Sequence, residues 1–201
     1  YLYELIYTAK NPLVLGLGLS ATRDLVSFLR HATADDFSTP NPVAGTIHAA
    51  VMHGASQSGR FTRTFVQLGF NEDEAGRIVF EGMNAHLGPA RVELNIRFGQ
   101  PARTSDQRLG HHNPGWSSPF TWMPVHDHVA QQTGWTLERC QKTNTCPKTI
   151  ETVSSNEYWK LRASLSTTDA LGTHDRPLPK NVFMYLLSGT QHVPASVPDY
   201  G

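Results

Sequence analysis

The chain has 201 residues, of which 39% are hydrophobic, and its 17 basic and 17 acidic side chains give a formal net charge of zero. This length and composition predict a single domain over residues 1–201 with a sizeable core. A balanced charge without basic clusters argues against a nucleic-acid or membrane partner, and no apolar run approaches the roughly 20 residues that cross a bilayer.

The first forty residues predict a strand followed by a helix. Residues 1–9 are aromatic and β-branched, which is typical of a buried strand. They begin without Met or a charged leader, so we expect a mature form or a fragment of a longer chain. After a predicted loop over 10–18, the polar residues from Ser20 predict an N-cap, and the apolar spacing predicts an amphipathic helix that ends near His31.

A strand, a tight turn and a second helix are predicted to meet at Ser56. Residues 45–53 form a short apolar run, which predicts a buried strand of a parallel sheet. The apolar residues within 61–68 share one face of a helix that closes at Gly69. The order strand, helix, strand, helix predicts an α/β fold with a mainly parallel sheet and right-handed crossover helices.

This turn predicts a serine nucleophile. The sharp turn pushes the Ser56 Oγ out of the sheet, to where a histidine can accept its proton. It also places the Gln57 N–H at a helix N-terminus, where it can stabilise an oxyanion. Gly54 and Ser58 supply the small residues that the turn requires two positions before and after the serine. An ordinary Gly/Ser turn is the alternative interpretation.

The second half of the chain predicts further strands over 77–83, 148–153 and 181–187. Between the first two lies a region, 88–137, with many Gly, Pro, His and Trp residues and little periodicity. A connection of this length predicts a lid or binding loop with short helices. Its aromatic residues either line an apolar pocket or cover the core; they are Trp116, Phe120, Trp122 and Trp135.

His192 is the predicted base. Catalytic groups of a parallel α/β sheet gather at the carboxyl ends of the strands, and His192 follows the strand 181–187, with Gly189 allowing the chain to turn. His48 and His53 are interpreted as packed or hydrogen-bonded structural residues. A His-Asp-His metal site over 126–128 would rest on spacing alone, so no metal is predicted.

Glu157 is the predicted carboxylate, which would fix the tautomer of the base and stabilise its imidazolium. It stands directly after the strand 148–153, at the same edge of the sheet as the predicted nucleophile. Asp169 is the second choice and Asp127 the third. The alternative role of Glu157 is a surface position or a salt bridge with a residue such as Arg162.

Cys140 and Cys146 predict a disulfide. Five intervening residues rich in turn formers suit a small disulfide loop, which favours an oxidising compartment. Two free thiols are the alternative. A zinc site would need four ligands and tighter paired spacing.

The chain order Ser56, Glu157, His192, with the runs Gly54–Phe61 and Gly189–His192, resembles the α/β-hydrolase superfamily. More narrowly, the chain is similar to the bacterial "α/β-hydrolase domain" group of secreted or periplasmic esterase-like proteins, and the likeness covers nearly its whole length. Further segments that carry it are 16–24, 27–29, 69–71, 77–82, 97–101, 140–148 and 157–159.

The resemblance implies an enzyme that cleaves carboxylic esters of small molecules through a Ser-His-Glu triad and an acyl-enzyme. It implies that no cofactor is needed and that the protein is periplasmic or secreted. Because members of the group are longer, it also implies a C-terminal part of the fold that lacks the N-terminal strands and the loop with the second oxyanion donor. The alternatives are a non-catalytic hydrolase-like binding module, and an amidase or polyester hydrolase with the same triad.

Overall fold

The computed structural model of the protein describes Thr8, Lys10, Asn11 and residues 16–90, 119–128 and 131–193. The helices are α1 (Leu17–His31), α2 (Gln57–Gln67), α3 (Glu138–Thr143) and α4 (Ser155–Lys160), followed by a 3-10 helix over Ala163–Ser166. The strands are β1 (Val51–Ala55), β2 (Gly82–His86), β3 (Val125–Asp127), β4 (Gln132–Gly134), β5 (Lys148–Ser154) and β6 (Val182–Leu187). Apart from Thr8, the predicted strand over 1–9 lies outside the described residues.

Four of these strands form a parallel sheet. Its spatial order is β1-β2-β5-β6, and each neighbouring pair is parallel. α2 connects β1 to β2 and α4 lies between β5 and β6, while β3 and β4 form a separate antiparallel hairpin. This confirms the predicted fold class, a mainly parallel α/β sheet with helices between its strands.

The core lies between α2 and one face of the sheet. Phe65 and Val66 of α2 are fully buried, and Met83 of β2 is only 2% exposed. The Phe65 ring meets Phe80 edge-on with the ring centroids 5.6 Å apart. Burying a side chain of this size stabilises the fold by about 2–3 kcal/mol. The strand and the helix on either side of Ser56 are therefore firmly packed together.

A buried ion pair connects α2 to β5. Arg63 Nη1 lies 2.5 Å from Glu151 Oε1, and neither side chain is more than 1% exposed. Trp122 donates its indole N–H to the other Glu151 oxygen at 2.8 Å, and the Arg63 guanidinium stacks over its ring. Arg63 also donates to the Phe120 carbonyl. Phe120 and Trp122 thus belong to the core, which decides between their two predicted roles.

The described part of the 88–137 region contains the β3–β4 hairpin instead of the predicted short helices. Trp135 is partly buried against the core and donates its indole N–H to Gln141 Oε1 at 2.8 Å. Residues 91–118, which include Trp116, lie outside the described residues. The lid or binding loop stays a prediction.

Two of the predicted boundaries in the first half of the chain are wrong. α1 begins at Leu17 and not after Ser20, because Gly16 turns the chain at a φ of 87° and the Ser20 hydroxyl donates to the Leu17 carbonyl inside the helix. β1 begins at Val51, since residues 45 and 46 belong to a turn and residues 47–50 have no regular secondary structure. Every second residue of β1 is exposed, so β1 is not the fully buried strand that we predicted.

The next strand is also shifted from its prediction, from 77–83 to Gly82–His86. The reason is Asn71, which is fully buried. Its side-chain oxygen accepts the Phe80 N–H at 2.9 Å, and its backbone carbonyl accepts the Val79 N–H at 3.0 Å. These bonds hold the chain before β2 to the loop that follows α2 instead of to the sheet.

Cys140 and Cys146 are joined by a disulfide with an S–S distance of 2.00 Å. Cys140 is fully buried in α3, and Cys146 lies two residues before β5. The bond therefore fixes the entry into the strand that leads to Glu157. Within the described part of the chain, no helix is long and apolar enough to cross a membrane.

Candidate active site

Ser56 occupies a strained turn between β1 and α2. Its φ of 57° and ψ of −119° lie in a region that residues other than glycine rarely adopt. Its N–H donates to the His86 carbonyl at 2.8 Å, and its own carbonyl accepts the Arg60 N–H at 3.0 Å. Strain of this kind costs on the order of 1–3 kcal/mol and persists only where the surroundings enforce it.

Two glycines make this turn possible. A Cβ on Gly54 would lie 2.2 Å from the Ser58 carbonyl oxygen, and one on Gly59 would lie 2.6 Å from the His86 carbonyl oxygen. Ser58 itself is exposed. The second position that must be small is therefore Gly59 and not Ser58, which corrects the prediction by one residue.

His192 lies between Ser56 and Glu157. Its Nε2 is 2.7 Å from the Ser56 Oγ, and its Nδ1 is 2.6 Å from the Glu157 Oε1. An ionised carboxylate can only accept a hydrogen bond, so Nδ1 carries the proton and Nε2 is the acceptor for the serine hydroxyl. His192 is in the loop after β6, where Gly189 turns the chain at a φ of 73°. These three side chains form the candidate triad.

The carboxylate of Glu157 is completely buried and fully hydrogen-bonded. Oε2 accepts the Ser154 N–H at 2.9 Å and the Ser154 hydroxyl. Oε1 accepts the Asn156 side-chain N–H at 3.0 Å in addition to His192. Burial alone would raise the pKa of Glu157, but the hydrogen bonds from Asn156, Ser154 and His192 outweigh it and lower the pKa from 4.5 to about 2. Glu157 is therefore ionised at every pH at which an ester hydrolase would work.

The backbone around Ser56 offers a site for negative charge. The Gln57 N–H belongs to the first turn of α2, where amide groups have no acceptor within the helix. That turn contains no acidic side chain, so the positive end of the helix dipole is not compensated there. Gln57 is thus the first residue of α2, and its role as an oxyanion donor stays a prediction.

The other candidate acids lie elsewhere. The Asp169 carboxylate accepts the backbone N–H and the hydroxyl of Thr173 at 2.8 Å each, and His174 Nδ1 lies 3.1 Å from it. Those bonds lower the pKa of Asp169 but keep it in its own turn. Asp127 is in the β3–β4 hairpin. Arg162, the suggested salt-bridge partner of Glu157, has its guanidinium over the Phe120 ring at 5.1 Å.

The remaining histidines do not form a metal centre in the described residues, where no group of three or more His, Cys, Asp or Glu side chains could hold an ion. His48 and His53 are exposed, so they are not packed, which leaves the hydrogen-bonded alternative of that interpretation. His86 borders the nucleophile turn, with its Nδ1 2.5 Å from the Thr152 hydroxyl.

The sequence matches the family described as "Alpha/beta hydrolase domain" over residues 3–199. The chain belongs to this α/β-hydrolase family. Together with the parallel sheet, membership confirms the predicted superfamily and fold type. No curated protein and no solved structure gives a significant match. Family membership supports a hydrolase and leaves open which bond this α/β-hydrolase cleaves.

Sequence reasoning missed three polar residues beside the candidate triad of this α/β-hydrolase. Ser154 and Asn156 donate to Glu157, and the Ser155 hydroxyl accepts the Gly189 N–H at 2.9 Å. One signal was available, since a serine followed three residues later by a glutamate is the capping-box pattern. The structure has that box, with Ser154 as the N-cap of α4.

Proposed function

We propose that this protein is a serine hydrolase that cleaves carboxylic esters of small molecules through an acyl-enzyme on Ser56. The observation that supports this most directly is the pair of hydrogen bonds, 2.7 Å and 2.6 Å long, that connects the Ser56 Oγ to Glu157 through His192. A serine hydroxyl is a weak nucleophile unless a base of this kind accepts its proton. Membership of the α/β-hydrolase family supports the same class of reaction.

In the acylation step, His192 Nε2 accepts the proton of Ser56 while the Oγ attacks the carbonyl carbon of the ester. The ionised Glu157 stabilises the imidazolium that forms. The carbonyl oxygen becomes an oxyanion, and the Gln57 N–H stabilises it. When the bond to the alcohol oxygen breaks, His192 donates its proton to the departing alcohol.

In the deacylation step, water takes the place of the alcohol. His192 accepts a proton from the water as its oxygen attacks the acyl carbon, and the bond between that carbon and the Ser56 Oγ breaks. His192 then returns the proton to Ser56. Ester and water give acid and alcohol, and the enzyme recovers its starting state without a cofactor.

Labelling with an active-site-directed fluorophosphonate tests the proposal. The probe forms a covalent bond with an activated serine, so we expect it to label Ser56 and to block hydrolysis of p-nitrophenyl acetate. The Ser56→Ala variant is expected to fold, to remain unlabelled and to hydrolyse the ester no faster than buffer.

Ser58→Ala is the matched control, because Ser58 lies two residues after Ser56 in the first turn of α2 and is exposed. It should keep both labelling and hydrolysis. An unlabelled wild-type protein would contradict the proposal in favour of a non-catalytic binding module. A protein that is labelled at Ser56 but hydrolyses anilides in preference to esters would be an amidase.

We also propose that the protein works in the periplasm or outside the cell. The Cys140–Cys146 bond supports this location, because disulfides persist mainly in oxidising compartments.

A further inference from the structure

The start of α4 contacts both the acid and the histidine loop. The Asn156 side chain donates to the Glu157 Oε1 at 3.0 Å, which is the oxygen that accepts His192 Nδ1 at 2.6 Å. One residue earlier, the Ser155 hydroxyl accepts the N–H of Gly189 at 2.9 Å. Gly189 lies in the loop that carries His192.

The donors around Glu157 fix the rotation of its carboxylate. Ser154 occupies Oε2 with its N–H and its hydroxyl, and Asn156 approaches Oε1 beside the histidine. Turning the carboxylate away from His192 would break these bonds in a site where water does not reach Glu157, whose side chain is 0% exposed. An unsatisfied buried carboxylate oxygen is costly, so the oxygen that His192 needs stays in place.

The histidine loop has a second attachment to α4 besides Glu157. The Ser155 bond holds its backbone at Gly189, and within the loop the Thr190 hydroxyl donates to the Leu187 carbonyl at 2.6 Å. A single side-chain bond would let the loop pivot about His192. Two attachments, one to the backbone and one to the ring, define its orientation toward Ser56.

We propose that Asn156 and Ser155 are positioning residues of the candidate triad. Asn156 orients the Glu157 carboxylate, and Ser155 holds the loop that presents His192 to Ser56. This inference rests on the proposed function, and it adds to the triad two residues that do not touch the substrate.

The test compares Asn156→Ala and Ser155→Ala with a matched control, Asn181→Ala. The Asn181 amide donates to the Pro147 carbonyl at 2.9 Å before the start of β6, at the end of the sheet opposite the candidate triad. We expect each positioning variant to lower kcat for p-nitrophenyl acetate roughly tenfold and to leave KM unchanged. A loss of this size is expected because each variant lacks one hydrogen bond near a charged group. Asn181→Ala should lower only the melting temperature.

Two further measurements separate positioning from general destabilisation. Ser155→Thr keeps the hydroxyl and should recover most of the lost kcat. The low-field proton NMR signal of His192 Nδ1–H should weaken or move in both alanine variants and stay unchanged in Asn181→Ala. If Asn156→Ala does not fold, Asn156→Ser takes its place, because a serine side chain is too short to reach the Glu157 Oε1.

Unchanged kcat and an unchanged His192 signal in the Ser155 and Asn156 variants would overturn the inference. The NMR signal does not depend on turnover, so it tests the positioning even in a protein that hydrolyses no ester. A wild-type protein that is not labelled by the fluorophosphonate would contradict the proposed function alone.

Discussion

Glu157 has two structural roles at once. It is the third residue of α4, where its side chain closes the capping box with Ser154, and it is the hydrogen-bond partner of His192. The two roles can be separated, because glutamine also satisfies the capping-box position. Glu157→Gln should therefore keep the start of α4 while changing the chemistry at His192.

We expect Glu157→Gln to lower kcat for p-nitrophenyl acetate by a factor on the order of 10³–10⁴. The amide oxygen would take the position beside the two Ser154 donors, so the amide NH₂ would face His192. Nδ1 would then accept a hydrogen bond and Nε2 would carry the proton, which prevents it from accepting the proton of Ser56. Steady-state kinetics measures the loss, and circular dichroism checks the fold.

Asp169→Asn is the comparison for this variant. In the wild-type protein, Thr173 and His174 hold the Asp169 carboxylate within its own turn, so the substitution should leave kcat unchanged. A larger loss of kcat in Asp169→Asn than in Glu157→Gln would show that Asp169 is the acid.

The sequence was sufficient to choose the three residues that the structure brings together. Ser56, Glu157 and His192 each follow a predicted strand, and parallel strands end at one edge of the sheet. The Ser155 contact could not be found in this way, because it joins a hydroxyl to a backbone N–H, and a position after a strand does not indicate that bond. Such a bond depends on how the loop after β6 lies against the start of α4, which no local pattern encodes.

The strand, turn and helix around Ser56 act as one packed unit, and Gly59 is one of the positions at which its segments approach each other closely. A Cβ there would meet backbone atoms of other segments, at 2.6 Å from the His86 carbonyl oxygen and 3.0 Å from the Gly54 carbonyl oxygen. Backbone cannot move aside as a flexible side chain can. Substitution at Gly59 should therefore disturb both the stability and the position of the nucleophile.

We expect Gly59→Ala to lower the free energy of unfolding by about 2 kcal/mol, and to reduce fluorophosphonate labelling because Ser56 is displaced. Urea denaturation measures the first effect, and the rate of labelling measures the second.

Gly18→Ala is the control for this substitution. Gly18 lies in α1, and a Cβ added there would meet no neighbouring atom within 4 Å, so alanine should stabilise the helix by about 0.5–1 kcal/mol. Equal effects of the two substitutions would contradict a specific steric requirement at Gly59.

Element types were easier to predict than element boundaries. The apolar spacing of α2 predicted its end at Gly69 closely, because a glycine at a φ of 88° follows the last turn. The start of β2 was misplaced because Asn71, a polar residue outside the predicted strand, accepts the backbone N–H of Phe80. Hydrophobic pattern alone does not show such a competing side-chain contact.

At the scale of the whole molecule, the sheet register brings the candidate triad together. Ser154 of β5 pairs with Leu187 of β6, so Glu157 and His192 follow strand ends that lie side by side. This much follows from a parallel sheet and could be predicted. The buried Arg63–Glu151 ion pair could not be predicted, because a sequence does not show which charged residues will be paired inside the core.

α1 is held to the rest of the protein by polar contacts. Arg30 donates to the Ile78 carbonyl at 2.8 Å, and the Ser27 hydroxyl donates to Asp73 at 2.6 Å. Asp73 also accepts the side-chain and backbone N–H groups of Arg77, each at 2.8 Å. Asp73 is 5% exposed, so its charge is stabilised by these partners and not by water.

Asp73 should make the protein sensitive to acid. Burial opposes its ionisation, but the hydrogen bonds from Ser27 and Arg77 and the charge of Arg77 outweigh it and lower the pKa from 3.8 to about 2. Because the pKa is lower in the folded state than in the unfolded state, folding favours the ionised form. The stabilisation is complete above the unfolded pKa of 3.8 and is lost as the pH falls toward the folded pKa of about 2.

We therefore expect Asp73→Asn to lower the free energy of unfolding by about 2 kcal/mol at neutral pH. The difference from wild type should shrink as the pH falls through this window and vanish only below it, where Asp73 is protonated in both the folded and the unfolded wild-type protein. Urea denaturation at a series of pH values measures it, and Asp36→Asn, at an exposed position, is the control. A difference that stays constant with pH would mean that Asp73 stabilises the fold through packing and neutral hydrogen bonds, because the ionised form would then have no advantage in the folded protein.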